Sequence, residues 1–296
     1  AYSGFSPPTS AFVTKVIPSC FITLEDGTKM KTESQKALTV TPDLSDFMDN
    51  EEAGQMSVFS SWGPAPDLSL KPEITAPGGN IYSLKDGGTY QNMSGTSMAA
   101  PQITGMAALV AQYIRENDLT EQTGLTVRQL AQSLLMSTAE PMVEDYGKDG
   151  DGYYPVLRQG AGLANVANAV TSGTYILMDE GANAGAADGK VKVELGDDPG
   201  WSGSYDLDFR VENLGSDTLS YSMKAVLLRP DTAEQDGKTM VLASDVLIRE
   251  VDLGSVSVPA GGTQVSRTVS LTASDIAAIR DLFPNGSYVE GFVILT

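Results

Sequence analysis

The chain is 296 residues long and strongly acidic, with 38 Asp and Glu residues against 19 Lys and Arg and a formal net charge of -19. That length, with a hydrophobic fraction of 41%, suffices for about two domains of ordinary size. No clustered cations are visible, which argues against a nucleic-acid partner. With no histidine and only Cys20, a disulfide framework is excluded and a zinc site of the usual kind is nearly excluded.

Targeting and membrane signals are absent from the sequence. The longest apolar runs are far shorter than a membrane span, and none has the form of a signal peptide. The opening AYSGFSPPTS has neither an initiator Met nor a basic n-region, which predicts a mature product or a piece of something longer. The acidic surface is compatible with a secreted protein.

Residues 1–40 contain too few elements to form a domain alone. VIPSCFITL predicts a β-strand, EDGTKM a turn, and ALTVTP a second strand. Cys20 lies in the apolar part of the first strand, where a buried, inert thiol is expected.

Residues 41–175 alternate predicted strands with predicted helices, which indicates an α/β layer structure. GQMSVFSSWGP predicts a strand that runs into a loop, and LKPEITAPGGNIYSL predicts two strands separated by Pro-Gly-Gly. A helix follows Ser97, a second opens at the capping box Thr126–Gln129, and GAGLANVANAV predicts a glycine turn and a short helix.

The helix after Ser97 has apolar residues on most of its sides, which predicts a helix buried in the middle of a domain. Its Ala and Gly residues would let neighbouring backbones approach closely. Pro101 is tolerable there because the N–H groups of the first turn have no acceptor within the helix.

Residues 176–296 show a different pattern, in which segments of alternating polar and apolar residues are separated by Gly, Pro, Asn and Asp. The predicted strands are KVKVELG, SGSYDLDFRVENLG, TLSYSMKAVLLRP, REVDLGSVSVPAGGTQVSRTVSLT and SYVEGFVILT. Their spacing is typical of an all-β sandwich.

Four motifs occur in a characteristic order: SVFSSWGP, KPEITAPGGNIYS, NMSGTSMAAP and RQGAGLANV. Together they resemble the C-terminal half of the catalytic domain of subtilisin-like serine proteases (subtilases), over about residues 50–175. The variant is similar to the large cell-envelope subtilases of Gram-positive bacteria, of the lactocepin and complement-cleaving type. The resemblance implies that residues 1–40 are the tail of a protease-associated (PA) insert, and that residues 176–296 form a fibronectin type III-like sandwich. It also implies a partial subtilisin-like parallel sheet in residues 41–175.

The resemblance implies that Ser97 is the nucleophile. A serine at a helix N-terminus can use its own backbone N–H as one donor to the oxyanion of the tetrahedral intermediate. Gly95 and Thr96 would give the tight turn and the close substrate approach. Gln102 stands where the family usually has a non-catalytic histidine, so we expect only a packing or hydrogen-bond consequence. The alternative for Ser97 is an ordinary N-cap serine.

A serine hydroxyl needs a base, and the base needs a third group to hold it. In subtilases the Asp, the His and the oxyanion Asn precede the PA insert. The resemblance therefore implies that they lie outside this sequence, which explains a chain without histidine, and that the chain alone is inactive.

Asp145, Asp149 and Asp151 form a candidate calcium loop with neighbouring glycines. With Asp145 as position 1 of an EF-hand-like loop, Asp149 occupies position 5, but Gly147 stands at position 3 and Val156 at position 12. The match is partial, and a solvated acidic turn is the favoured alternative. No cofactor is required, and structural calcium is the only one the sequence suggests.

The leading hypothesis is therefore a fragment of a secreted or cell-wall serine endopeptidase. Its expected partners are a protein or peptide substrate and the missing half of its own catalytic domain. The alternatives are a non-catalytic pseudoprotease that binds proteins, and an acidic adhesin, which leaves GTSMAAP unexplained. Because missing strands would expose an edge and an apolar patch, we expect self-association, strand exchange or a mobile active-site segment.

Overall fold

A computed structural model describes residues 28, 29, 31, 32, 54–143 and 152–296. The chain forms two compact units, residues 1–51 and 52–296. In the first unit the described residues are helical, and the Thr32 hydroxyl donates to the Lys29 carbonyl over 2.8 Å. The predicted strands VIPSCFITL and ALTVTP, Cys20, and the acidic loop with Asp145, Asp149 and Asp151 lie outside the described residues.

The second unit begins with a hairpin and a group of helices, and continues into strands. The elements are β1 Ile81–Lys85, β2 Thr89–Met93, α1 Thr96–Glu116, α2 Leu119–Thr123, α3 Val127–Ser137, α4 Val156–Gln159, α5 Val166–Thr171, β3 Thr174–Met178, a 3-10 turn Ala186–Asp188, β4 Ser204–Asn213, β5 Leu219–Gln235, β6 Lys238–Val258, β7 Thr263–Ser270, α6 Ala273–Leu282 and β8 Glu290–Leu295. Helices and sheets in one chain agree with the predicted α/β class.

The helical part has a small core of its own. Its buried members are Val110, Ile114, Leu119, Leu130, Ala131, Leu134, Leu135, Ala169 and Tyr175. The helix α3 starts as predicted, because the Thr126 side chain accepts from the Gln129 N–H while the Gln129 side chain accepts from the Thr126 N–H. These reciprocal bonds satisfy two N–H groups that the first turn leaves without partners.

The burial predicted for α1 is wrong. Only Val110 and Ile114 are buried, whereas the adjacent Leu109 is 55% exposed. The helix packs on α2, α3 and α5, and many of its other positions are exposed.

The strand predicted in GQMSVFSSWGP is also wrong. This stretch forms a turn, in which the Ser60 N–H donates to the Ser57 carbonyl over 3.0 Å. The predicted buried strand KPEIT is reduced to a single parallel bridge between Thr75 and Leu163. Within the described residues, this bridge is the only parallel pairing, so the predicted partial parallel sheet is represented by one contact.

The strands from β3 onward form two antiparallel three-stranded sheets, with the orders β3-β4-β7 and β6-β5-β8. We call residues 174–296, which contain them, the two-sheet module. Both sheets contribute to one core, with Leu207, Phe209 and Val211 from β4 facing Met223, Ala225 and Leu227 from β5. The alternating buried and exposed positions along β4 are those expected of a strand with one face on a core. The predicted boundary at residue 176 falls inside β3 and stays a prediction.

Two expectations for this module are wrong. KVKVELG is irregular rather than a strand, because the Asn183 amide donates to the carbonyls of Lys190 and Lys192 and so occupies acceptors a neighbouring strand would need. The module is not all-β either. The helix α6 begins at a capping box formed by Thr272 and Asp275. Among the described residues, none of the helices has the length and apolar character needed to cross a membrane.

Candidate active site

Ser97 is the second residue of the 21-residue helix α1, and its side chain is exposed. We call residues 94–98 the Ser97 turn. The helix is preceded by Gly95 at the N-cap position, and the Met98 N–H donates to the Gly95 carbonyl over 2.9 Å. Ser97 is therefore not an N-cap residue, and its hydroxyl is not used to hold the start of the helix.

A loop formed by residues 76–80 holds the Ser97 turn in place; we call it the Pro77 loop. The Gly95 N–H donates to the Gly78 carbonyl over 2.8 Å, and the Ser94 hydroxyl accepts from the Asn80 N–H over 2.9 Å. The Gln102 side chain donates to the Pro77 carbonyl over 2.7 Å, which confirms the hydrogen-bonding role expected of it. Two hydrogen bonds thus hold the Ser97 turn, and a third holds α1 at Gln102, all from the Pro77 loop.

Only glycine fits at the centre of that contact. A Cβ on Gly78 would lie 2.8 Å from the Gly95 carbonyl oxygen and 3.3 Å from the Ala99 Cβ. The loop therefore approaches the start of α1 more closely than any side chain would permit.

The electrostatics at the start of α1 suit a developing negative charge. The first turn contains no acidic side chain, and its N–H groups, among them that of Ser97, have no acceptor one turn earlier in the helix. These free donors and the positive end of the helix dipole would stabilise an oxyanion formed beside the Ser97 hydroxyl. The arrangement provides a nucleophile and an anion-stabilising donor, but the histidine-free chain provides no imidazole base.

The structure brings Gly95, Thr96 and Ser97 together, as a contiguous turn must. The predicted calcium ligands lie outside the described residues. Within 54–143 and 152–296, no group of three or more His, Cys, Asp or Glu side chains could hold a metal ion.

Sequence reasoning missed the hairpin that leads into the Ser97 turn. Tyr82 and Leu84 of β1 lie on one face with Tyr90 of β2, and all three are more than half exposed. The two tyrosine rings stack with centroids 5.3 Å apart. The signal for it was the KDGG turn between two short alternating segments.

An ion-pair cluster beside the Pro77 loop was missed as well. Lys71 and Lys190 both pair with Glu73. Burial of Glu73 alone would raise the pKa of its carboxyl, but the hydrogen bonds from the two lysines outweigh burial and hold that pKa below its usual value. The alternation of Lys and Glu in KVKVELG serves this cluster rather than a strand face.

Several known proteases are similar to the chain. The Subtilase family (Peptidase_S8) model matches residues 24–168. C5a peptidase from Streptococcus pyogenes is 30% identical over 94% of this chain and 22% of its own length. PII-type proteinase is 33% identical in Lacticaseibacillus paracasei, over 81% of this chain and 12% of the relative. The PII-type proteinase of Lactococcus lactis subsp. cremoris is 32% identical, over 87% of this chain and 13% of its own length.

The chain thus spans about a fifth or less of the length of these relatives. A solved structure, that of the patellamide maturation protease PatA, matches 33% of this chain and 32% of its own at 33% identity, with a TM-score of 0.25. A TM-score this low says nothing about the fold. Residues 24–168 of the chain belong to the subtilase family of serine peptidases.

Proposed function

We propose that the chain is the nucleophile-bearing part of a serine endopeptidase, and that Ser97 forms the acyl-enzyme. The observation that carries this proposal is the exposed Ser97 hydroxyl at the N-terminus of α1, within the segment that matches the subtilase model. A hydroxyl in that position has a free N–H beside it and no structural task of its own.

The proposed reaction divides the work between two parts of a longer protein. The Ser97 oxygen attacks the peptide carbonyl, and its proton passes to an imidazole supplied by a segment outside this sequence. The Ser97 N–H donates to the oxyanion, after which the amine leaves with the proton and water hydrolyses the ester. Since the chain has no histidine, we expect the chain alone to be inactive.

The proposed location, flanking domains and substrates rest on the resemblance to the same family. From the motif resemblance we also propose a cell-envelope protein, with a PA-like insert ending in residues 1–40 and a fibronectin type III-like domain at residues 176–296. Two facing antiparallel sheets support the second domain. We place the protein outside the cell, with peptide or protein substrates and no required cofactor; structural calcium at Asp145, Asp149 and Asp151 stays the less favoured alternative to a solvated acidic turn. Self-association of the chain through the exposed positions of α1 also stays a prediction.

A fluorophosphonate probe for serine hydrolases tests the nucleophile directly. We expect labelling of the longer protein at Ser97, none of the Ser97→Ala variant, and full labelling of Ser83→Ala, which removes an exposed hydroxyl from β1. The isolated chain should remain unlabelled. Labelling at another residue, or of the isolated chain, would contradict the proposal.

A non-catalytic protein-binding module is the second candidate. In that case the longer protein would also lack the Asp, His and Asn of the family and would not react with the probe. Its two-sheet module would then hold a protein partner without cleaving it.

A further inference from the structure

Glu290, the first residue of β8, joins the two-sheet module to the subtilase segment. Its carboxylate accepts the Val156 N–H at Oε1 over 2.7 Å and the Leu157 N–H at Oε2 over 3.1 Å. Both donors are at the start of α4, where backbone N–H groups have no partner within the helix. One carboxyl side chain therefore fixes this helix from a position 134 residues later in the chain.

The other end of α4 holds the segment that precedes the Pro77 loop. The Thr75 hydroxyl donates to the Gln159 carbonyl over 2.9 Å, and the Thr75 N–H donates to the Gly162 carbonyl over 2.9 Å. Gly160 approaches so closely that a Cβ there would lie 2.4 Å from the backbone of Glu73. A shift of α4 would therefore have to move Thr75 with it.

Thr75 immediately precedes the Pro77 loop, which is hydrogen-bonded to the Ser97 turn. The chain runs through the buried Ala76 into Pro77 and Gly78, whose carbonyls accept from Gln102 and Gly95. These are the contacts that fix the start of α1. An unbroken series of hydrogen bonds and covalent bonds thus connects Glu290 to the turn that carries Ser97.

We infer that Glu290 is a positioning residue for Ser97, acting through α4 and Thr75, so that docking of the two-sheet module sets the geometry of the nucleophile. The inference rests on the proposed function of Ser97 for its catalytic meaning, although the mechanical connection is a property of this chain. The two-sheet module is then a part of the catalytic apparatus and more than a spacer.

Amide hydrogen exchange on the 296-residue chain tests the mechanical connection without any activity. Glu290→Gln keeps one acceptor oxygen but places an amide NH2 group opposite the second backbone N–H. Because this is comparable to the loss of a helix cap, we expect amide exchange in residues 76–99 to become about tenfold faster. Exchange in α3 should stay unchanged. Glu250→Gln is the matched control, because Glu250 pairs with Lys224 on the exposed side of the same module.

A second variant addresses the route. Thr75→Val removes the hydroxyl bond to Gln159 and keeps the side-chain shape, so its effect on residues 76–99 should resemble that of Glu290→Gln. Since both act on one connection, the double variant should exchange little faster than either single variant. Additive effects, or equal acceleration in α3 and in residues 76–99, would show general destabilisation and overturn the inference.

In the longer protein, the same variants should react with the fluorophosphonate probe about tenfold more slowly at saturation, with the half-saturating probe concentration unchanged. Wild-type labelling with equally fast labelling of Glu290→Gln would overturn the inference and leave the proposed function intact. Absence of labelling in the wild type would overturn both the proposed function of Ser97 and the catalytic role inferred for Glu290.

Discussion

Gly78 sets how closely the Pro77 loop can approach the Ser97 turn. In Gly78→Ala the new Cβ would lie 2.8 Å from the Gly95 carbonyl oxygen, so the loop or the Ser97 turn must move. We expect at least a tenfold slower reaction of Ser97 with a fluorophosphonate in the longer protein, because small displacements at reacting atoms are costly. The rate of probe incorporation measures this directly.

Gly105 provides the matched control in the same helix. A Cβ there would meet nothing within 4 Å, and the residue lies in the interior of α1. Gly105→Ala should leave the labelling rate unchanged and raise helix stability by about 0.5–1 kcal/mol. If both variants slow labelling equally, the close approach at Gly78 is not the cause.

At the scale of single elements, α3 depends on its capping box. Thr126→Ala removes the acceptor for the Gln129 N–H and should lower the free energy of unfolding by about 1 kcal/mol. Because Leu130 and Leu134 of this helix are fully buried, the loss should appear in global urea denaturation.

Thr104→Ala is the control for that experiment. Its hydroxyl donates to the Ala100 carbonyl in the middle of α1, where alanine is the better helix former. We expect no loss of stability. Equal destabilisation by the two substitutions would show that threonine removal, and not cap removal, is being measured.

Elements with local signals could be predicted from the sequence. The capping box located α3, and the GTSM turn located the start of α1, because both signals lie within a few residues. KVKVELG misled because its alternation satisfies ion pairs and the Asn183 amide instead of a sheet. The position of Ser97 at the start of α1 followed from the motif, whereas the contact of Glu290 with α4 has no periodic signal in the sequence.

At the scale of the whole molecule, Asp245 couples stability to pH. It is 3% exposed, and burial first, then the neighbouring Glu290, raise the pKa of its carboxyl from 3.8 to about 9. Burial likewise raises the pKa of Glu290. Arg229 opposes the shift at Asp245 and Asp231 adds to it. The folded chain therefore retains a proton on Asp245 that the unfolded chain releases above its ordinary pKa.

Stability from this group is fully present below pH 3.8 and is lost as the pH rises toward about 9. We expect the urea concentration at the unfolding midpoint to decrease as the pH is raised from about 5 to 9. Asp245→Asn should flatten that decline, whereas Asp197→Asn, on an exposed loop, should leave it as it is. A midpoint that rises over this range, or the same slope in both variants, would contradict the assignment.

The long hairpin of β5 and β6 has a consequence for the order of folding. Its strands pair from Gln235 and Lys238 at the tip to Leu219 and Val258 at the far end, around the two-residue turn Asp236–Gly237. Closing so short a loop costs little chain entropy, and each further pair closes only a slightly longer one. The sheet of β3, β4 and β7 must instead join distant segments. The hairpin is thus positioned to be the nucleus on which the two-sheet module condenses, so that Glu290 arrives at α4 late, after its own sheet has formed.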